Sequence, residues 1–181
     1  MAARTHAAFL RAVNLGTTRK ASKTDLIECF EGLGYGEVAT FRTSGNVVFA
    51  AKGSAGSLKS EIEDGLERSL GFEVPVFVRT RAQLEAIASK RPFPARAVRA
   101  SAGKLQIAFL ERKPARAAIA EIEALASEDD RLAVAGTELY WLPRGGTQDS
   151  PLDMKAIDRT LGLNTLRTMG TVEALFAKFF A

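Results

Sequence analysis

Val38-Ala39-Thr40-Phe41-Arg42-Thr43-Ser44-Gly45-Asn46-Val47-Val48-Phe49-Ala50 reads as two β-strands folded back on each other. Val, Thr and Phe in the flanks suit a pleated, half-buried surface. Gly45 and Asn46 tolerate the positive φ of a tight hairpin, which places the turn at Ser44-Gly45-Asn46. A second hairpin with the same punctuation runs from Arg131 to Leu142 and turns at Gly136-Thr137. The offset that carries Gly45 to Gly136 also carries Phe49 to Tyr140, Leu70 to Leu161, Gly71 to Gly162, Thr80 to Thr171 and Leu84 to Leu175. One structural unit is therefore expected twice. No catalytic motif accompanies it, so the residues speak to architecture more clearly than to activity.

Outward from the first hairpin, Ala7 to Val13 is a short apolar strand with Phe9, Arg11 and Val13 on one face. Leu26, Cys29, Phe30 and Leu33 then recur at helical spacing behind Ser22 or Thr24 as N-cap. Lys52 to Ser57 reads as a loop, and Leu58, Ile62, Leu66 and Leu70 as a helix closed by Gly71. In the strand Glu73 to Arg79, Pro75 cannot donate to a ladder, which assigns it to a sheet edge or an irregular start. Thr80-Arg81-Ala82-Gln83 has the capping-box form and opens another helix. Past a basic connector at Ala95 to Lys104, the order recurs: strand Leu105 to Leu110, a helix with Pro114 at N1, the second hairpin, a helix with Ser150 as N-cap and Pro151 at N1, a strand at Leu166 to Met169, and a helix capped by Thr171. The expected fold is α+β: two tandem ferredoxin-like (βαββαβ) repeats with antiparallel sheets, each followed by an extra helix. The halves are expected at 1–94 and 95–181, packed as one compact body.

Composition narrows the function classes. With 46% hydrophobic and 25% charged residues the chain is an ordinary globular one, and it holds no apolar run long enough to span a membrane. The N-terminal stretch Met1 to Arg11 lacks the form of a secretory signal, which together with the single Cys29 makes a cytoplasmic location the expectation. One His and one Cys cannot build a His/Cys metal centre, and no calcium loop is present, so no metal and no cofactor is expected. His6 is expected to be a solvated terminal residue, Cys29 a buried apolar one, and Glu128 to Asp130 a solvated turn.

The formal charge of +4 and the pI near 9.4 admit an anionic small molecule or nucleic acid as partner. The oligomeric state is left open. Asn14-Leu15-Gly16-Thr17-Thr18-Arg19-Lys20 joins a strand to a helix, so free backbone N–H groups can hold an anion beside Arg19, Lys20 and Lys23. Arg144-Gly145-Gly146-Thr147 repeats the arrangement. Arg11 and Arg42 are costly to bury unpaired and must reach water, a carboxylate or a ligand. In the ferredoxin-like order the first and third strands are antiparallel neighbours, which brings Arg11 and Asn14 beside Ser44 and Asn46. Phe9 and Phe49 invite comparison with base-stacking sheet faces, although the flanking residues do not match that module.

The stretches Phe9-Leu10-Arg11-Ala12-Val13-Asn14-Leu15-Gly16, Ser44-Gly45-Asn46-Val47-Val48-Phe49 and Arg91-Pro92-Phe93-Pro94 together resemble the bacterial domain-of-unknown-function 1697 family. Leu139-Tyr140-Trp141-Leu142-Pro143, Gly145, Ser150, Thr165-Leu166-Arg167 and Thr171-Val172 resemble its later blocks in the same order. The resemblance implies two ferredoxin-like halves and adds Arg167 to the candidate ligand residues; it implies no activity. The chain departs from the pattern at Ala12 and Thr17, where glycine is common, at Pro151, where lysine is common, and at Thr168 and Gly170, where asparagine is common. Three function classes stay open: a non-enzymatic binding protein for an anionic ligand, a metal-independent enzyme using an Arg/Asn/Ser pocket, and a protein-interaction module.

Overall fold

Leu26, Cys29 and Phe30 are buried along one side of α1 (Lys23–Gly32). The helix starts where Ser22 Oγ accepts the Asp25 N–H and Asp25 accepts the Ser22 N–H in return, a capping box that satisfies two otherwise orphaned donors. The structure is a computed structural model and describes residues 3–14, 19–42 and 45–181. Thr43, the expected turn residue Ser44, the Leu15-Gly16-Thr17-Thr18 stretch and the departure at Thr17 lie outside the described residues.

Two compact units make up the chain, one of Met1–Ile87 with Ala174–Ala181 and one of Ala88–Glu173. The first contains β1 (His6–Leu10), α1, β2 (Gly36–Thr40), β3 (Asn46–Ala50), α2 (Ala55–Leu70) and β4 (Val76–Thr80), followed by α3 (Arg81–Ser89). Its sheet has the order β2-β3-β1-β4 with every pair antiparallel. The second contains α4 (Ala95–Ala100), β5 (Gln106–Leu110), α5 (Arg116–Glu123), β6 (Asp130–Ala135), β7 (Glu138–Pro143), α6 (Met154–Leu161), β8 (Asn164–Thr168) and the start of α7 (Met169–Phe179), whose residues from Ala174 onward fall in the first unit. Its order, β6-β7-β5-β8, repeats the first. The fold is α+β, built of two tandem ferredoxin-like units.

Period-two alternation explains the cores. Ala8, Leu10, Val47, Phe49, Val76 and Val78 form one cluster with Leu26 and Phe30 of α1 and Leu58, Ile62 and Leu66 of α2. In the second unit Ala108, Leu110, Leu139 and Trp141 cluster with Ile122, Ile157 and Leu161. The alternate positions Ala7, Phe9, Val48 and Phe77 are also closed to solvent. Phe49 packs on Phe30 and Tyr35, with ring centroids 5.2 and 5.0 Å away. Phe9 and Phe49 therefore offer no open platform on which bases could stack.

Several local expectations shift. β1 stops at Leu10, because Ala12 turns the chain into the left-handed region at φ 59°. Asn46 is the first ladder residue of β3, opposite Phe9, and lies outside the turn; the positive φ values fall on Arg42 and Gly45. α2 begins at Ala55 under a Ser54 cap, within the stretch expected to be a loop. Pro114 precedes the N-cap Ala115, Asp153 caps α6 in place of Ser150, and Thr168 Oγ1 takes the Thr171 N–H at the start of α7. The basic connector holds the short helix α4. Pro75 behaves as expected, since edge strand β4 begins directly after it.

His6 is not solvated: it lies in β1 at 5% exposure, its ring stacked on Phe49 at 5.6 Å and its Nδ1 2.8 Å from Thr5 Oγ1. Burial lowers its pKa below the ordinary value of 6.5. Below about pH 6.5 the unfolded chain then binds a proton that the folded chain refuses, so stability falls as pH drops through that point. His6 is the only histidine. Denaturation series between about pH 7.5 and about pH 5.5 are expected to show a stability loss with a slope of at most about 1.4 kcal/mol per pH unit, absent from His6→Phe. A slope shared by both proteins would assign it to other groups.

Candidate functional site

The ends of β1 and β2, the start of β3 and the start of α1 enclose a cleft of about 540 Å³. It is lined by Val13, Asn14, Ala21, Ser22, Lys23, Leu26, Thr40, Arg42, Gly45 and Asn46. The strand order explains the meeting. β1 and β3 are antiparallel neighbours, so the exit of one lies at the entry of the other, and α1 crosses above them.

Hydrogen bonds hold this rim. The Asn14 N–H donates to the Arg19 carbonyl at 2.7 Å, while Asn14 Oδ1 accepts the Ala21 N–H at 3.1 Å. Asn46, 1% exposed, donates from Nδ2 to the Phe41 carbonyl at 3.0 Å. Leu10 donates its N–H to the Gly45 carbonyl at 2.8 Å. Ala12, Asn14 and Arg42 have φ values of 59°, 61° and 59°, a conformation that costs a non-glycine residue about 1–2 kcal/mol. Such residues persist where their surroundings over-determine them. At Ala12 a glycine would sit without strain.

The charge of the cleft is one-sided. Among the described residues its lining carries Lys23 and Arg42 and no carboxylate. Arg42 is exposed, with its guanidinium 5.3 Å from the centre of the Phe41 ring, and Phe41 meets Phe179 edge-on at 5.9 Å. Asp25 lies at the N-terminus of α1, its carboxyl held below the usual range by hydrogen bonds from the backbone and hydroxyl of Ser22.

Of the residues singled out in the sequence, Asn14, Arg42 and Asn46 meet at this cleft, joined by Lys23. Arg11 is half-buried beyond β1, donates its N–H to the Pro75 carbonyl and does not line the cleft. Arg19 is exposed, with its guanidinium 5.7 Å from the Phe72 ring centre. Gly16 and Ser44 lie outside the described residues. Val13, Ala21, Leu26 and Thr40 were not anticipated. The apolar stripe of α1 was a usable signal for Leu26, whereas nothing local marks Thr40.

In the second unit, Arg144 and Gly145 line a smaller recess of about 240 Å³ with Asp129, Asp130 and Asp149. Arg144 pairs with Asp129 at 3.0 Å. Asp130 departs from the expected solvated turn: it is 1% exposed, and its Oδ1 accepts bonds from Trp141 Nε1 at 2.6 Å and Ser150 Oγ at 2.9 Å. Three carboxylates against one guanidinium make this recess a poor counterpart to the first cleft. Pro151 also lines it. Arg167 lies on β8, donating to Thr165 Oγ1 at 2.9 Å and the Leu166 carbonyl at 2.8 Å. Burial brings its pKa down to about 10, which leaves it charged at neutral pH.

Among the described residues no group of three or more His, Cys, Asp or Glu is placed to hold a metal ion, and no helix is long and apolar enough to cross a membrane. No curated protein matches the chain. The structure is similar to that of the conserved bacterial protein SP0830 from Streptococcus pneumoniae, with a TM-score of 0.78 and 20% sequence identity over 99% of this chain and 100% of that one. At that identity the likeness concerns the fold. Residues 3–140 match the model of the family described as "Protein of unknown function (DUF1697)". With well over half of its length matched, the chain belongs to this family.

Proposed function

We propose that this chain is a non-enzymatic binding protein for a small anionic ligand, held in the cleft of the first unit. The observation that carries the reading is a lining that, among the described residues, has Lys23 and Arg42 and no carboxylate, at a volume within the usual range of ligand pockets. Asn14 and Asn46 use their amides to hold the surrounding backbone, so they serve as a frame, and the two cations supply attraction. Nucleic acid is the less favoured anion, because the aromatic faces that would stack bases are buried.

Calorimetric titration at low salt with phosphate, pyrophosphate, acetate and larger carboxylates tests the reading. Each of Lys23→Ala and Arg42→Ala is expected to weaken the best binder by about 10- to 100-fold, the worth of one hydrogen bond to a charged group. Both side chains are exposed, so the fold is expected to survive their removal. If no anion binds at millimolar concentration, or if the double variant binds as the wild type does, the cleft is not an anion site.

A further inference from the structure

We infer that the ligand of this cleft is a monoanion of mixed character: one carboxylate head on a compact apolar body. The inference rests on the anion-binding reading above and names the chemical class that reading leaves open.

Three observations lead to it. First, the lining is divided. Lys23 and Arg42 bring charge, while Val13, Ala21 and Leu26 contribute an apolar wall, and Gly45 adds no side chain to crowd it. Val13, Ala21 and Leu26 belong to the first unit's buried apolar cluster, so the wall is the edge of the core itself and is rigid. A bare inorganic anion would leave that wall wet and gain nothing from it.

Second, the positive charge is limited. Asp25 accepts the N–H of Ser22, itself a lining residue, at 2.7 Å, so a carboxylate stands next to the lining at the start of α1. A carboxylate so near the lining disfavours a ligand that carries several negative charges. A pyrophosphate or nucleoside triphosphate brings several and meets repulsion.

Third, the usual phosphate cradle at a helix N-terminus is already occupied. Ser22 Oγ takes the Asp25 N–H, and Asp25 sits where an anion would gain from the helix dipole. Among the described lining residues the charged side chains are those of Lys23 and Arg42. The planar fork of an arginine matches a carboxylate with two parallel hydrogen bonds.

The experiment holds the head group constant and varies the body. Acetate, 3-methylbutanoate and phenylacetate are titrated into the full chain by calorimetry at low ionic strength, beside phenylacetamide, inorganic phosphate and pyrophosphate. Affinity is expected to rise roughly tenfold or more from acetate to phenylacetate as apolar surface leaves water. Phenylacetamide, lacking the charge, is expected to bind at least about tenfold more weakly than phenylacetate. Val13→Thr, nearly isosteric and verified as folded by its melting curve, is expected to narrow the phenylacetate-to-acetate ratio by about threefold or more. If pyrophosphate or phosphate binds more tightly than phenylacetate and depends on Arg42, the anion reading stands and this inference is overturned. Equal binding of phenylacetate and phenylacetamide also overturns it, and binding of none of the anions removes the anion reading itself.

Discussion

Replacing Gly103 by alanine is expected to lower the stability of the second unit by about 2–4 kcal/mol. An alanine Cβ there would run into the Gly145 carbonyl oxygen, and would come within 2.8 Å of Pro143 Cγ and 2.9 Å of the Pro143 carbonyl oxygen. All three are backbone or proline-ring atoms, so no flexible side-chain end can swing aside. The segment 101–103 would have to lift from the loop at 143–145. That move would break the bond from the Ala102 N–H to the Arg144 carbonyl and the one from Ser101 Oγ to the Pro143 carbonyl. Trp141, the only tryptophan, lies in β7 of the same unit and reports the transition by fluorescence. A loss under about 0.5 kcal/mol, the size of an ordinary surface substitution, would show that the two segments do not approach this closely.

Gly103 was invisible in the sequence because its constraint is imposed by a loop some forty residues away, a distance over which no pattern is written. Where structure is decided locally, the residues spoke plainly. The spacing of Leu26, Cys29 and Phe30 specifies α1, the ring of Pro75 keeps β4 at an edge, and Gly136-Thr137 forms the two-residue turn between Ala135 and Glu138. Where a boundary depends on a tertiary partner, the reading drifted. β1 ends early at Leu10, before Ala12, and the caps of α5, α6 and α7 lie one to three residues from the Pro and Ser/Thr signals in the sequence. α4 escaped notice since it buries no residue and so carries no apolar stripe.

The internal duplication is real in topology, yet its constant offset is not. Phe9 faces Asn46 and Phe109 faces Glu138, so Asn46 corresponds to Glu138, and Gly45 to Thr137, one place from the match drawn in the sequence. The backbone agrees: Leu10 donates to the Gly45 carbonyl and Leu110 to the Thr137 carbonyl. Similarly, His6 faces Thr80 and Gln106 faces Thr168, which makes Thr168 the counterpart of Thr80. Both threonines cap the helix that follows by accepting an N–H three residues on. Connections of different length between strands displace each ladder by its own amount, and only the pairing registers recover the correspondence. The cleft followed the same rule. Asn14, Arg42 and Asn46 were legible from strand order alone, whereas Ala21 and Thr40 required the actual course of the chain into α1 and out of β2.

That one-place shift separates two glycines that look alike in sequence, and their alanine variants are expected to differ. Gly136 has φ 64°, and a Cβ there meets only Glu138 Oε2 at 3.4 Å, the mobile end of a side chain. Gly136→Ala should therefore cost only the conformational strain, about 1 kcal/mol. Gly45, at φ 69°, is a point of close approach as well as a turn. Its Cβ would lie 2.6 Å from Val13 Cγ2 and 3.0 Å from Leu10 Cβ. Val13 could yield by rotating, but Leu10 is 1% exposed and fixed in β1. Strain and overpacking together are expected to cost about 2–4 kcal/mol. Val13 and Gly45 both line the cleft, so the displaced valine should also cut ligand affinity, an effect Gly136→Ala should lack. Denaturant midpoints for the two variants, measured with the anion titration on each, check both parts. Equal destabilisation would mean that Gly45 serves only the turn, and unchanged affinity in Gly45→Ala would mean that the wall formed by Val13 takes no part in binding.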